Sequence, residues 1–263
     1  MGRLPGFDRL QGTVRIAQSC TACGNCLLTC PSKALLRAPK RPTVVDELCT
    51  ACSLCIEVCP VGAITETVQT MTEIHPIEVE SYRILAERVD LSGHPPENRP
   101  IIERMIHSTA DESFADSARI GSNAVKAVRA ALAKKSPVVV DVTMVAAGIT
   151  RYPTACFLDQ VPVAPAGSTR SAAAIDRATQ SHPVGAVFVI GNAPTALFRL
   201  LELHRDGQVQ PAAVIGLPVG FVGAKESKAA LWASPLREIA ITNVGEKGGS
   251  PAAAGAFNAS STV

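Results

Sequence analysis

Four apolar runs in the second half of the chain indicate strands that are buried on both faces. They cover residues 138–145, 184–190, 212–217 and 239–243. The first three are rich in β-branched residues, and each runs into glycine, as expected for a strand that ends in a turn. Continuous rather than alternating apolar residues are typical of parallel sheets. We therefore predict a parallel sheet here.

Apolar residues recur at helical spacing before and between these runs. The predicted helices cover residues 77–91, 124–135, 195–205 and 227–232, and a further helix is predicted to begin at Pro100. Proline is favoured in the first turn of a helix, and the lysines at 134 and 135 suit a helix C-terminus. Helices that alternate with buried strands predict a doubly wound α/β domain, with a mainly parallel sheet covered by helices.

The first seventy residues have a different pattern, in which short apolar segments flank two cysteine-rich loops. Residues 14–17 and 43–46 precede the loops, and residues 34–36 and 63–65 follow them. This duplication predicts two halves, each made of strand, loop, short helix and strand, that together form one small β-sheet. We therefore predict an α+β domain over residues 1–70, followed by the α/β domain over residues 71–263.

Eight of the nine cysteines form two copies of one spacing, and each copy is closed by proline. The runs are Cys20, Cys23, Cys26 and Cys30-Pro31, and then Cys49, Cys52, Cys55 and Cys59-Pro60. Zinc sites favour paired cysteines with histidines or a second pair. A disulfide framework needs an oxidising compartment, and no signal peptide is evident. Cys156 has no ligand spacing, and we interpret it as a small buried hydrophobic residue.

The two runs resemble the bacterial-type dicluster ferredoxins, in which the fourth cysteine of each run binds the other cluster. The resemblance implies a ferredoxin-like fold for the first domain and two 4Fe–4S clusters. One cluster would be bound by Cys20, Cys23, Cys26 and Cys59, and the other by Cys49, Cys52, Cys55 and Cys30. A domain this small has little hydrophobic core, so the clusters would also stabilise it.

Glycine-rich loops follow the predicted strands, at the edge where open parallel sheets bind ligands. They cover residues 145–150, 191–194, 216–220 and 245–250. Glycine lets the backbone approach a flat ligand closely, although each loop could equally be a simple turn. None of them matches G-x-G-x-x-G or a Walker sequence, so nothing specific supports nucleotide binding.

Six motifs in the second domain occur in a fixed order, at residues 76–81, 105–111, 141–149, 169–173, 216–228 and 247–250. Together they resemble the precorrin-8X (cobalt-precorrin-8) methylmutases of vitamin B12 synthesis, over about residues 71–260. The resemblance implies an isomerase that moves a methyl group from carbon 11 to carbon 12 of the corrin macrocycle. It also implies a homodimer that binds the tetrapyrrole near the subunit boundary.

The resemblance assigns the role of acid to His107. A shift of the ring's double bonds is helped by a proton on a ring nitrogen, and imidazole can donate one near neutral pH. Arg170 is the candidate partner of a substrate carboxylate, because a guanidinium pairs with it in a bidentate fork. Ser81, Tyr82 and Thr150 are candidates for hydrogen bonds to the macrocycle edge, although each could equally be a cap or a surface hydroxyl.

The charge balance limits the possible partners. A net charge of +2 gives no electrostatic case for nucleic acid, and no basic run suggests a membrane surface. Apolar runs such as residues 212–222 are too short to span a bilayer. We expect a cytoplasmic protein, in which thiols stay reduced.

Two classes of function remain open. The first is a corrin-pathway isomerase that carries an electron-transfer module for a redox partner. The second is an electron carrier whose second domain docks to a corrin-pathway partner without catalysing. They differ at His107, because the enzyme needs this residue and the carrier does not, and the intact motif around His107 favours the enzyme.

Overall fold

The computed structural model describes residues 13–45, 48–49, 52, 54–67 and 76–261. The chain divides into two compact units, and the division falls between Val79 and Glu80. The predicted boundary between residues 70 and 71 lies outside the described residues. Within these ranges, no helix is long and apolar enough to cross a membrane.

Four short strands and two short helices lie in residues 13–67 of the first unit, as far as the structure describes them. The strands are β1 (Thr13–Ile16), β2 (Leu35–Leu36), β3 (Thr43–Val44) and β4 (Ile64–Thr67), and the helices are α1 (Asn25–Thr29) and α2 (Leu54–Glu57). β1 pairs antiparallel with β4, and β2 pairs antiparallel with β3. The four apolar segments are strands, as predicted.

The prediction of one small sheet in this unit was wrong, because the strands form two separate two-stranded sheets. β1 and β4 lie at the two ends of the unit, and they pair with each other so that Ile16 is opposite Ile64. β2 and β3 are only two residues long, and Pro42 directly before β3 has no N–H with which to extend the ladder.

The second unit is built around a six-stranded sheet. Its strands are β5 (Ala118–Ile120), β6 (Val138–Val140), β7 (Thr154–Cys156), β8 (Val187–Ile190), β9 (Ala213–Gly216) and β10 (Ala240–Asn243). Their order across the sheet is β5-β10-β9-β8-β6-β7. All neighbours are parallel except β5 and β10. The mainly parallel sheet is confirmed.

Helices cover both faces of this sheet. They are α3 (Pro76–Arg88), α4 (Arg99–Thr109), α5 (Phe114–Ser117), α6 (Ala124–Ala133), α7 (Thr143–Gly148), α8 (Arg170–Ser181), α9 (Pro194–Arg205), α10 (Ala224–Ala233) and α11 (Ser250–Ser261). Val187 and Val189 of β8 face the core formed with α4, α6 and α11, whereas Phe188 and Ile190 face the core formed with α8, α9 and α10. This two-sided burial explains why the strands read as continuous apolar runs.

The predicted strand over residues 138–145 was wrong in its second half. β6 ends at Val140, and α7 begins at Thr143. Asp141 directly follows β6, and its buried carboxylate accepts hydrogen bonds from the backbone of the loop after β8. Val145 is buried and Met144 is 62% exposed, so the apolar run continues as one side of a short helix.

Candidate functional site

The N-termini of several helices gather at one edge of the sheet in the second unit. Helices α7, α9, α10 and α11 each begin shortly after the carboxyl end of β6, β8, β9 or β10. Ligands of open parallel sheets bind at this edge. The functional residues therefore have to be sought among the loops and helix ends that meet here.

His107 lies near the C-terminus of α4 in contact with two residues of α3. Ser81 Oγ is 2.8 Å from His107 Nδ1. The ring of Tyr82 stacks on the imidazole, with 4.9 Å between the ring centroids and 12° between the planes. Arg104 Nη1 donates to the Tyr82 hydroxyl at 3.0 Å. We call these four residues the histidine cluster.

Arg104 was not predicted as a site residue. It precedes His107 by three positions on α4, and residues at that spacing share one face of a helix. This spacing was the only signal of Arg104 in the sequence. It could not identify Arg104 as a site residue, because the sequence does not show that Arg104 bonds Tyr82 of α3.

Helix α4, which carries Arg104 and His107 of the histidine cluster, packs tightly against the rest of the second unit. Its residues Ile101, Ile102, Met105 and Ile106 are buried in the core. Gly255 of α11 allows close packing against α4, because a Cβ atom there would lie 3.2 Å from the Arg104 carbonyl oxygen and 3.0 Å from Ser108 Oγ. The imidazole is thus carried on a helix that has little freedom to shift.

The loop before α11 is tied to the end of α4. Lys247 Nζ lies 2.7 Å from Asp111 Oδ2, two residues after α4, and donates to Ser113 Oγ at 3.1 Å. The hydrogen bond from Lys247 lowers the pKa of the Asp111 carboxyl. Gly248 lets this loop lie against β9, because a Cβ atom there would be only 2.3 Å from the Leu217 carbonyl oxygen.

Lys228 of α10 supports the same loop from inside the protein. Its side chain is 1% exposed, and Nζ donates to Asn243 Oδ1 at 2.9 Å and to the Lys247 carbonyl oxygen. Asn243 Nδ2 donates to that carbonyl as well, at 3.0 Å. Burial lowers the pKa of Lys228 to about 8, against the opposing effect of the Glu246 carboxylate. Sequence reasoning did not single out this lysine.

Asp141 performs a similar task at the end of β6. Its carboxylate accepts from Gly191 N at 3.1 Å and from Asn192 N and Ala193 N at 2.8 Å each. Burial raises the pKa of Asp141, whereas the three N–H groups favour its charged form. Asp141 therefore holds the loop after β8 in place.

The remaining predicted site residues lie on other elements. Arg170 is the first residue of α8, and it donates from Nε to the Val161 carbonyl at 2.7 Å and from Nη2 to the Leu158 carbonyl at 3.2 Å. These bonds hold the loop before α8, a role that we did not predict. Thr150 is exposed just after α7. The structure thus brings Ser81 and Tyr82 to His107, and it places Thr150 and Arg170 on separate elements.

The cysteines of the first unit line two cavities. Cys20, Cys23, Cys26 and Cys59 line the first cavity, and Cys30, Cys49, Cys52 and Cys55 line the second. The two cavities are similar in size. Among the described residues, no three side chains of cysteine, histidine, aspartate or glutamate are grouped to bind a single metal ion.

Hydrogen bonds from the backbone point at three of these sulfurs, and the longest of them runs from Ala22 N to Cys20 Sγ at 3.4 Å. Ala34 N donates to Cys30 Sγ at 3.3 Å, and Ala63 N donates to Cys59 Sγ at 3.2 Å. Burial raises the pKa of the Cys30 and Cys59 thiols, but these and neighbouring hydrogen bonds outweigh it, so that the pKa of each lies below its usual value. The surroundings therefore favour the thiolate, which is the form that binds metal.

The two units define an α/β domain with a histidine-containing site at its sheet edge, joined to a domain with two cysteine-lined cavities. The precorrin-8X methylmutase family profile matches residues 76–262, and a 4Fe-4S dicluster domain profile matches residues 14–66. The chain belongs to the precorrin-8X methylmutase family and has a 4Fe–4S dicluster domain at its N-terminal end.

Individual relatives agree with this assignment. The chain is 40% identical to the precorrin-8X methylmutase of Pseudomonas aeruginosa over 194 residues, which are 70% of this chain and 92% of that protein. It is 38% identical to the cobalt-precorrin-8 methylmutase of Methanothermobacter thermautotrophicus over 191 residues, 70% of this chain and 91% of the relative.

A solved structure shows the same fold. The precorrin-8X methylmutase from Thermus thermophilus matches with a TM-score of 0.62 at 34% identity, over 70% of this chain and 93% of that one. The resemblance noted from the sequence is confirmed, and the protein is an enzyme of the isomerase class.

Proposed function

We propose that this protein isomerises precorrin-8X or cobalt-precorrin-8 in cobalamin biosynthesis, by moving a methyl group from carbon 11 to carbon 12 of the macrocycle. The relatives named above support this substrate class. The observation that carries the proposal is the histidine cluster, in which Ser81 Oγ lies 2.8 Å from His107 Nδ1 and the Tyr82 ring stacks on the imidazole.

His107 is the proposed acid, and Nε2 is the atom that gives the proton. When the imidazolium donates from Nε2, the neutral ring that remains carries its proton on Nδ1. Ser81 Oγ can accept from Nδ1 both before and after this transfer, so the hydrogen bond persists. The stacked face of Tyr82 favours the cationic ring and keeps it from rotating. Protonation of a pyrrole-derived nitrogen would then assist the change in double bonds that accompanies the methyl shift.

The macrocycle would lie over the loops at the carboxyl edge of the sheet. Ser81, Tyr82 and Thr150 are proposed to contact its rim, and Arg170 to meet one of its carboxylates. Arg170 already binds two loop carbonyls through Nε and Nη2, so it would position this loop and the substrate together.

The active form is proposed to be a homodimer. Phe221 and Val222 lie between β9 and α10, at the edge where the substrate would bind, and are 91% and 89% exposed. Side chains this apolar are rarely left together in water without a partner. A second subunit that covers them would also close the substrate site.

The test is turnover of metal-free and cobalt-bearing substrate by anaerobically purified protein, with the absorption change of the macrocycle as the readout. His107→Ala should lower kcat at least about 100-fold, the usual contribution of a general acid. His204→Ala is the matched control, because His204 lies on α9 and its ring bonds the Val209 carbonyl oxygen. Near-normal turnover by His107→Ala would remove this residue from the mechanism and favour the electron-carrier alternative.

For the first unit we propose two 4Fe–4S clusters, one at each cavity, which supply one-electron transfer when bound. Cys20, Cys23, Cys26 and Cys59 would hold one, and Cys49, Cys52, Cys55 and Cys30 the other. The two cavities support this division, since each is lined by three cysteines of one run and one of the other. A redox partner in the corrin pathway and a reducing cytoplasmic location follow from the same proposal.

Iron analysis tests the cluster proposal. Anaerobic reconstitution should give about eight irons per chain, the content of two such clusters. Cys59→Ser should affect the cluster of the first cavity and Cys30→Ser that of the second, while Cys156→Ser serves as the control outside both cavities. A colourless protein that binds zinc in place of iron would contradict the proposal.

A further inference from the structure

The two cysteine cavities differ at the matched position two residues after the fourth cysteine of each run, and also where Asn25 of the first cavity corresponds to Leu54. Cys30-Pro31-Ser32 in the first run corresponds to Cys59-Pro60-Val61 in the second. Ser32 lines the second cavity, whereas Val61 lines the first. Ser32 Oγ lies 3.6 Å from Cys30 Sγ and makes a hydrogen bond with it. Valine at the matched position has no group that can donate.

The backbone bonds to the two matched sulfurs are alike. Ala34 N donates to Cys30 Sγ at 3.3 Å, and Ala63 N donates to Cys59 Sγ at 3.2 Å, in each case from four residues after the cysteine. The Ser32 hydroxyl is therefore a hydrogen-bond partner that Cys30 has in addition to its backbone donor and that the matched Cys59 lacks.

We propose that Ser32 raises the reduction potential of the cluster at the second cavity and so draws a single electron toward that cavity. The inference rests on the proposed pair of clusters. A cysteine that ligates iron carries no S–H proton, so the hydroxyl of Ser32 must be the donor in this hydrogen bond. Reduction adds negative charge that is shared by the thiolate ligands, and a donated hydrogen bond stabilises that charge more than the oxidised state.

The consequence is a preferred location for one electron within the first unit. Exchange between the sites is balanced, since one cluster loses the electron that the other gains. A hydrogen bond of ordinary strength should change the ratio of the two singly reduced forms on the order of fivefold. Ser32 is thus a tuning residue that acts through Cys30.

A reciprocal exchange of side chains in the full chain provides the test. Ser32→Val should lower one of the two potentials, and Val61→Ser should raise the other. The double exchange should shift both potentials in these directions, and Ser32→Thr should leave both unchanged because it retains a hydroxyl. The potentials are read from a redox titration followed by electron paramagnetic resonance, on samples whose iron content is measured first.

Each outcome decides the proposal. Unchanged potentials in Ser32→Val with full iron content would overturn the role of Ser32 and leave the two clusters in place. A potential that falls as far in Ser32→Thr as in Ser32→Val would overturn it as well. A chain without iron–sulfur clusters would overturn this inference together with the cluster proposal, while turnover of the tetrapyrrole would show whether the isomerase proposal stands by itself.

Discussion

Lys228 should titrate near pH 8, far below the usual range of a lysine. Lys228 is 1% exposed, and its ammonium group donates to Asn243 Oδ1 and to the Lys247 carbonyl oxygen. Burial disfavours the charged form and lowers the pKa from 10.5 to about 8, although the Glu246 carboxylate acts in the opposite direction. The perturbation that isolates this effect is Lys228→Met, which has a similar length and no charge.

The magnitude follows from the difference between folded and unfolded states. Below pH 8 both states carry the proton, and the folded state bears the full cost of the buried charge. Between pH 8 and 10.5 the unfolded state holds the proton and the folded state releases it, so the free energy of unfolding increases as the pH rises. Each unit of pKa difference corresponds to about 1.4 kcal/mol, so Lys228 should contribute roughly 3 kcal/mol to this increase.

Two measurements check the prediction. The ¹³Cε resonance that disappears in Lys228→Met should titrate with a midpoint near 8, well below those of the exposed lysines. Denaturant unfolding over pH 7.5–10.5 should show a smaller rise in stability for Lys228→Met than for the unsubstituted protein. Lys225→Met is the matched control, because Lys225 is exposed on the same helix.

The reasoning would be refuted by a Lys228 midpoint close to 10.5, since the ammonium group would then be hydrated as in the unfolded chain. It would also fail if Lys228→Met and the unsubstituted protein gained the same stability over this pH range. The comparison uses the pH dependence rather than the stability at one pH, because the methionine also leaves Asn243 Oδ1 without its donor.

Two further predictions concern packing around the sheet. Asp141→Asn should lower the free energy of unfolding by roughly 3 kcal/mol in denaturant titrations, because an amide cannot accept all three backbone hydrogen bonds; a loss below about 1 kcal/mol would contradict this. Gly121→Ala should prevent soluble expression or lower the melting temperature strongly, because its Cβ would lie 2.0 Å from the Arg237 carbonyl oxygen; Gly93→Ala, with nothing within 4 Å, should behave like the unsubstituted protein.

The central strands could be predicted because burial on both faces removes the polar positions that would interrupt an apolar run. The edge strands β5 and β7 could not, since each has three residues and only partial burial. Helix α11 was missed for a related reason. Ala252, Ala253, Ala256 and Phe257 are all buried, so this helix has no polar face to reveal its period.

The site was predictable only where family motifs of known role fall on it. Ser81, Tyr82 and His107 were found through motifs of the family, although only the fold shows that Ser81 holds His107 Nδ1. Lys228 and Arg104 were missed because their partners, Lys247 and Tyr82, lie on other elements. Contacts between distant segments leave no periodic trace in a single sequence.

The electronic state of the proposed clusters should not affect the isomerase rate. A methyl shift within one molecule is redox-neutral, so it consumes no electron, and the proton that it uses can come from His107. The measurement is turnover of the metal-free substrate by the full chain, once with the clusters reduced and once with them oxidised. The metal-free substrate is required because a reductant would also act on cobalt in the ring.

We expect the two rates to agree within about twofold, since neither the acid nor the loops that surround it change with an electron in the first unit. The iron content and the cluster spectrum of each sample provide the control that both redox states were reached. A rate that falls severalfold on oxidation, with His107 and its neighbours unaltered, would show that the first unit takes part in the isomerisation. The fusion would then serve catalysis itself, rather than the delivery of electrons to cobalt or to a partner.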